Sequence, residues 1–340
     1  MIPMLRAGSF TVNEELAASW ARGKRLRKLL VEAPDGIKHV AVELARRLSE
    51  AGFDVIVSGR HAWGGCDVGV REALSLGAEG VIHLGHHGHV GPRVTEIPVL
   101  FLPVLSEADP MPAFRRAVLE ALSSGYRRIA IGVTVQHMHF LGDLEREARE
   151  LGADPVTGSL DGFRGLVVGC MYSSLSGGEA SVVVAGGVFH GLGAALWTGK
   201  PVWVADPFTG EAKRVDVKTA VARRLEAISR AIDARSFAVV VSSKPGQMRL
   251  RVAELVVEAL RKRGREAWLV SLDEVTNEAL VNLGAAEAYV NTACPRLAVD
   301  DPELFPGPVV NPGELKYVLL GKLDGYSPRD VFFFDARDLA

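Results

Sequence analysis

Three cysteines carry most of the reactive chemistry in these 340 residues: Cys66 in WGGCDVG, Cys170 in LVVGCMYSS and Cys294 in YVNTACPRL. Their odd number and wide separation make no disulfide framework and suit a reducing compartment. Thiolates are soft ligands for zinc or iron–sulfur clusters. Three of them on a four-iron cluster would leave one iron open to a substrate, a catalytic rather than an electron-carrying arrangement. Each cysteine follows an apolar run and has a small neighbour, Gly65, Gly169 or Ala293, that lets a backbone or cofactor come close. A free cysteine is also a common small core residue. The register differs as well, Cys294 following the third strand of its segment and Cys66 the second. Pattern alone leaves a shared metal site and three separate core residues both open.

Histidines cluster at His83, His86, His87 and His89, and again at His137 and His139 in QHMHF. An HxH beyond a strand can open a zinc hydrolase site. Further ligands should then follow on later strands, yet His190 is the only later histidine. His83 and His86 are instead expected to line the cavity behind the cysteines. In SSKPGQ (Ser242 to Gln247) a strand turns into a helix, and amides there, at Gly246 and Gln247, could hold a carboxylate or ribose. A plain Pro-Gly turn is the alternative. Asp300 and Asp301, after CPRLAV, could bind an amino group or cap the next turn. The basic run RGKRLRK (Arg22 to Lys28) reads as a solvated face of the first helix, with docking to a protein as the lesser reading. No general acid–base constellation stands out.

The elements that must position these residues repeat. Helices are expected at Glu14 to Lys28, Ala113 to Ser123 and Lys218 to Ile232, each feeding an apolar strand: Leu29 to Val31, Ile129 to Ile131 and Phe237 to Val241. The stretch from Pro34 resembles that from Pro245, and the middle third matches loosely from Asp143. A further echo runs GAEGVIHLG, GGEASVVVAGG and GAAEAYVNTAC. Short β-branched strands alternating with longer helices indicate parallel sheets covered on both faces. Linkers are expected near Ser106 to Pro112 and Asp206 to Asp216. The fold class is therefore α/β, with three pseudo-equivalent doubly wound parallel-sheet domains around a central site. The domains span residues 1–107, 108–214 and 215–340, with one cysteine each. A TIM barrel needs eight regular βα units, whereas about twelve strands are expected here.

Composition narrows the function classes. A hydrophobic content of 48% with 24% charged residues is ordinary globular composition. A net charge of −2 gives no general attraction to nucleic acid or anionic lipid. Met1 to Phe10 lacks an apolar core, so no secretory signal is expected. Ser181 to Gly199 is uncharged but contains five glycines. It reads as a buried strand (Val182 to Ala185), a Gly turn and a helix rather than a membrane span. A cytoplasmic protein follows. Two Gln and five Asn, with Arg exceeding Lys, hint at a thermophile.

WGGCDVG, VIHLGHHGHV, VVGC, VVAGGVFHGLGAAL, VVVSSKPGQMR and VNTACPRLAVDD together resemble the archaeal 2-(3-amino-3-carboxypropyl)histidine synthases, which carry out the first step of diphthamide synthesis. The likeness runs from Val31 to Glu314 and is most specific at NTACPR. It implies a transferase in which Cys66, Cys170 and Cys294 hold a [4Fe-4S] cluster and S-adenosylmethionine is the substrate. It further implies translation elongation factor 2 as protein substrate, an electron donor the sequence does not identify, and a homodimer. The compact CxxxCxxC of ordinary radical S-adenosylmethionine enzymes is absent, as this family leads one to expect. The family usually has Tyr-Gly-Ala-Cys-Asp where this chain has Trp63, Gly64, Gly65, Cys66 and Asp67. An acidic position commonly found just upstream is replaced around Arg60 and His61, and His87 stands where Ser often follows. A quinolinate synthase-like [4Fe-4S] enzyme would want a phosphate cradle, which is not found. A non-catalytic scaffold subunit would not need all three cysteines.

Overall fold

The computed structural model describes residues 4–92, 94–284 and 286–339. Ala285, in the third echo, and the first three residues of the N-terminal stretch lie outside the described residues. Three sheets form its frame. The first contains β1 (Lys28–Glu32), β2 (Asp54–Val57), β3 (Gly80–Leu84) and β4 (Val99–Leu102), in the order β2-β1-β3-β4 and parallel throughout. The second contains β5 (Arg128–Val133), β6 (Asp154–Val156), β7 (Ala180–Val184), β8 (Val202–Ala205) and β9 (Ala212–Arg214), ordered β6-β5-β7-β8-β9. Here β5 runs parallel to both its neighbours. The third contains β10 (Ser236–Ser242), β11 (Glu266–Leu272), β12 (Ala288–Asn291) and β13 (Val309–Val310), ordered β11-β10-β12-β13 and again parallel. In each sheet the first strand lies between the second and the third. Loops leaving the C-terminal ends of the first and third strands therefore diverge, which opens a crevice for ligands.

Alternation along the strands explains the covered faces. Leu29 and Val31 pack with Ala17, Ala21, Val40 and Leu44 of two helices, while Leu30 packs on the opposite face with Val70 and Ala73 of a third. The third sheet does the same: Phe237 and Val239 meet Ile228, Val256 and Leu260, whereas Ala238 and Val240 meet Leu280 and Phe305. Successive side chains point to opposite faces, so continuous apolar runs are required. Each such fully buried Val or Leu contributes roughly 1.5–3 kcal/mol.

The three echoes share one local bond pattern. Glu79, just before β3, accepts the N–H groups of Arg27 and Lys28 at 2.5 and 3.2 Å. Glu179, just before β7, accepts those of Arg127 and Arg128 at 3.2 and 3.1 Å. Glu287, just before β12, accepts that of Arg235 at 2.5 Å. A carboxylate ahead of the third strand thus binds backbone donors where the first strand begins, three times over.

Several boundaries differ from expectation. The first helix ends at Gly23, not Lys28. Arg25 turns left-handed at φ 58°, and the Leu26 N–H closes on the Ala21 carbonyl, so the middle of the basic run, Lys24 to Arg27, forms the turn into β1 rather than a helix face. Helix Lys218–Ile232 is as expected, and the middle one begins at Met111. Ser181 to Gly199 divides into β7 and helix Phe189–Thr198, closed by Gly199 at φ 65°. An antiparallel sheet of Leu5–Ala7, Phe10–Val12 and Val104–Ser106 was not foreseen, and the expected linkers overlap its last strand and β9. Among the described residues no helix is long and apolar enough to cross a membrane.

The chain divides into two compact units. One ends at Val168 and also takes in Ser173–Gly187 and Trp203–Lys213; the other comprises Gly169–Tyr172, Val188–Val202 and the chain from Arg214 onward. Cys66 belongs to the first unit, Cys170 and Cys294 to the second.

Candidate metal centre and its surroundings

Cys66 is a half-buried cysteine, in no disulfide, in the loop between β2 and helix Val70–Ser75. The Asp67 N–H donates to the Gly64 carbonyl and closes a turn around it. Its neighbour Gly65 is obligatory: a Cβ there would lie 2.2 Å from the His87 carbonyl oxygen. The loop thereby rests against the segment that follows β3. Asp67, 1% exposed, accepts a 2.6 Å bond from Arg60. Arg60 also lies 3.6 Å from Glu32 and 3.9 Å from Glu72. Burial disfavours its charge, but Asp67 and the two glutamates outweigh that and raise its pKa. Arg60, at a departure from the usual family pattern, anchors the residue beside Cys66.

Glu32, at the end of β1, joins this loop to the histidines. Both its oxygens accept the Gly69 N–H at 3.1 Å, and Oε1 lies 2.7 Å from His83 Nδ1. His83 Nε2 lies 2.8 Å from His86 Nδ1. A carboxylate can only accept, so with Glu32 as carboxylate and a neutral His83 ring, Nδ1 donates to Glu32 and Nε2 accepts from His86 Nδ1. His83 is fully buried on β3, and half-buried His86 begins the loop against which Gly65 packs. His83 and His86 thus join Glu32, which also holds the Gly69 amide three residues beyond Cys66.

Cys170 and Cys294 are likewise half-buried and in no disulfide. Val167, just before the Cys170 turn, donates to the Val133 carbonyl at the C-terminal end of β5. Cys294 follows β12, and its carbonyl accepts the Asn291 side-chain amide at 2.8 Å and the Leu297 N–H at 3.1 Å. Asn291 is held by Asn311 at 3.0 Å, and Asn311 in turn donates to the Pro295 and Val331 carbonyls. Arg296 then reaches from the Cys294 turn to the Cys170 turn. Its Nη1 meets the Tyr172 hydroxyl at 3.2 Å and the Gly169 carbonyl at 3.3 Å. Asp300 grips the other side at 2.5 and 2.8 Å. Burial works against this guanidinium, and Asp300 more than restores its charge. Tyr172 is fully buried, and burial pushes its pKa up.

Asp300, expected to face a substrate, is thus engaged by Arg296. Around Gly246, the Gln247 and Met248 amides both donate to the Lys244 carbonyl at 3.0 Å, as in an ordinary turn. Gln247 and Lys244 are nevertheless buried there, at the end of β10. His137 is fully buried beside Thr134 and Phe208, and burial first, then His139, lowers its pKa to about 4. Among the described residues no group of three or more His, Cys, Asp or Glu could hold a metal ion. A four-iron cluster asks instead for one thiolate on each of three irons. Three cysteines outside any disulfide, in glycine- or alanine-flanked loops, fit that donor set chemically. Sequence reading missed Glu32, Arg60, Tyr172 and Arg296. Their one signal was polarity within or beside apolar runs.

Comparison with known proteins follows the same lines. The family model for diphthamide synthesis proteins matches residues 33–326. The chain is 34% identical over 304 residues to the 2-(3-amino-3-carboxypropyl)histidine synthase of Pyrococcus horikoshii, covering 88% of this chain and 87% of that one. It is 24% identical over 310 residues to the Methanocaldococcus jannaschii enzyme of the same name, covering 86% and 84%. The crystal structure of Dph2 from Pyrococcus horikoshii with a 4Fe-4S cluster superposes with a TM-score of 0.84 at 30% identity, covering 96% of this chain and 94% of that one.

Proposed function

Because the chain belongs to the family of diphthamide synthesis proteins, we propose that it transfers the 3-amino-3-carboxypropyl group of S-adenosylmethionine to a histidine of translation elongation factor 2. This is the first step of diphthamide biosynthesis. Cys66, Cys170 and Cys294 would hold a [4Fe-4S] cluster. Such a cluster supplies one electron and an open iron to S-adenosylmethionine, so that radical chemistry replaces the usual methyl transfer. One observation carries this reading: the three thiols are the chain's only cysteines, and the chain follows the cluster-bearing Dph2 structure along nearly its full length.

The protein's own residues bind, orient and exclude. Arg60, Asp67 and Glu32 set the Cys66 loop, and the His83–His86 pair backs it. The Asn291–Asn311 pair and Arg296 set the Cys294 and Cys170 turns. Gly246 and the side chain of buried Gln247, just beyond β10, would supply polar contacts to the carboxylate or ribose of the substrate, the Gln247 backbone amide itself being taken by the Lys244 carbonyl. The three sheets are read as three repeats, 1–107, 108–214 and 215–340, working in the cytoplasm as a homodimer with a separate electron donor.

The test is anaerobic reconstitution with iron and sulfide, followed by dithionite, S-adenosylmethionine and elongation factor 2. Methylthioadenosine and one modified histidine are expected. Each single Cys→Ala change should abolish both products and reduce bound iron. Release of 5′-deoxyadenosine as the main product would overturn the reading, because the other sulfur–carbon bond would then be cut.

A further inference from the structure

Arg296 makes more contacts than an ion pair requires. It is 3% exposed, and its guanidinium lies over the Phe189 ring at 3.8 Å. Two donors go to Asp300, on the same helical turn. The third nitrogen leaves that turn and meets the Gly169 carbonyl, directly before Cys170, and the hydroxyl of Tyr172, two residues after it. The Tyr172 hydroxyl itself donates to the Gly169 carbonyl at 2.9 Å, so one planar group closes on both sides of the Cys170 turn. On its own side, Arg296 stands two residues from Cys294 in a turn already fixed by Asn291 and Asn311.

The space around this contact is shaped for it. A Cβ on Gly193 would fall 2.0 Å from the Tyr172 hydroxyl and 2.1 Å from Arg296 Nη1. A Cβ on Gly169 would fall 2.8 Å from the Phe189 ring. Helix Phe189–Thr198 thus carries the ring that stacks on the guanidinium and, four residues on, the glycine that admits it. A lysine could not reproduce this fork, since it offers one nitrogen and no plane to stack.

We infer that Arg296 is a positioning residue that sets the spacing of Cys170 and Cys294, with Gly193 kept free of a side chain to admit it. The inference rests on the proposed function only in giving those two thiols a common task. It concerns the chain before any metal arrives: the loops are held by Arg296, not drawn together by the cluster.

The test uses the full-length, iron-free, reduced chain with Cys66→Ala, so that Cys170 and Cys294 are the only thiols. Dibromobimane becomes strongly fluorescent when one molecule bridges two thiols, and its second step is intramolecular. Its yield therefore reads the effective concentration of one thiol at the other. Arg296→Gln and Gly193→Ala are each expected to cut bridging by about fivefold or more. Tyr172→Phe, which keeps the Gly169 contact, should have a smaller effect. Circular dichroism and thermal melting identify the variants that remain folded, and either Arg296→Gln or Gly193→Ala suffices. Bridging within about twofold of the parent in folded Arg296→Gln or Gly193→Ala would overturn the inference, and so would a parent that does not bridge. Methylthioadenosine release is read separately, in the reconstituted chain with all three cysteines: loss of bridging in the variants with no release there keeps the clamp and rejects the activity. Unchanged bridging in the variants beside release by the three-cysteine chain does the reverse.

Discussion

At the scale of single residues, the buried charges are organised rather than scattered. Arg224 is buried in helix Lys218–Ile232, with Glu314 at 3.0 and 2.5 Å and the carbonyls of Ala298 and Val309 at 2.7 and 2.8 Å. Glu314 also caps the Asn311 amide, so this pair supports the network beneath the Cys294 turn. Glu314→Gln or Arg224→Met should each cost about 3–5 kcal/mol in urea unfolding, because one desolvated charge is left without its partner. His137 behaves differently. Burial holds its pKa near 4 against an ordinary 6.5, so between these values the unfolded chain binds more protons than the folded one. Stability must then fall as the pH drops through this window. His137→Leu is expected to remove about 2 kcal/mol of the stability lost between pH 7 and pH 5, measured as the difference between urea curves at the two values.

Among elements, loops at strand ends are shaped by where a side chain cannot fit. The Cys66 loop meets the segment after β3 through Gly65, and a methyl group there would meet backbone rather than a movable side chain. Gly65→Ala should therefore destabilise the chain by about 1–3 kcal/mol and lower iron loading, whereas Gly64→Ala, 3.3 Å from the Cys66 sulfur, should act mainly on loading. Thermal melting and iron analysis separate the two effects. The glutamates before β3, β7 and β12 are exposed, but each serves the backbone of a central strand. Glu79→Ala should lower the melting temperature by about a few degrees, more than loss of the exposed Glu50 at a helix end.

For the whole molecule, the three sheets repeat one strand order and one carboxylate contact, and each third of the chain carries one cysteine. If these are three copies of one unit with a shared task, losing any one cysteine should be as damaging as losing all three. Iron content and product formation in Cys66→Ala, Cys170→Ala and Cys294→Ala, alone and combined, check this; a single variant retaining full activity would break the equivalence. Light scattering is expected to give a dimer across a wide protein concentration range, and a monomer throughout would reject the pairing of identical chains.

Sequence by itself determined the parallel α/β frame, since continuous apolar strands between amphipathic helices have few other ways to bury both faces. It also determined the number and spacing of the cysteines, which need only be counted, and the helix at Lys218–Ile232, which its own periodicity marks. Residue periodicity could not locate the end of the first helix, which a left-handed Arg25 decides, nor the antiparallel strands, whose partners lie far along the chain. Only the tertiary structure showed that Asp300 serves Arg296, that Arg60 serves Asp67, and that Glu32 joins Gly69 to His83. These are contacts between polar side chains and groups brought near by folding. A single sequence records the residue types, while the distances that turn them into a site arise only once the strands are laid side by side.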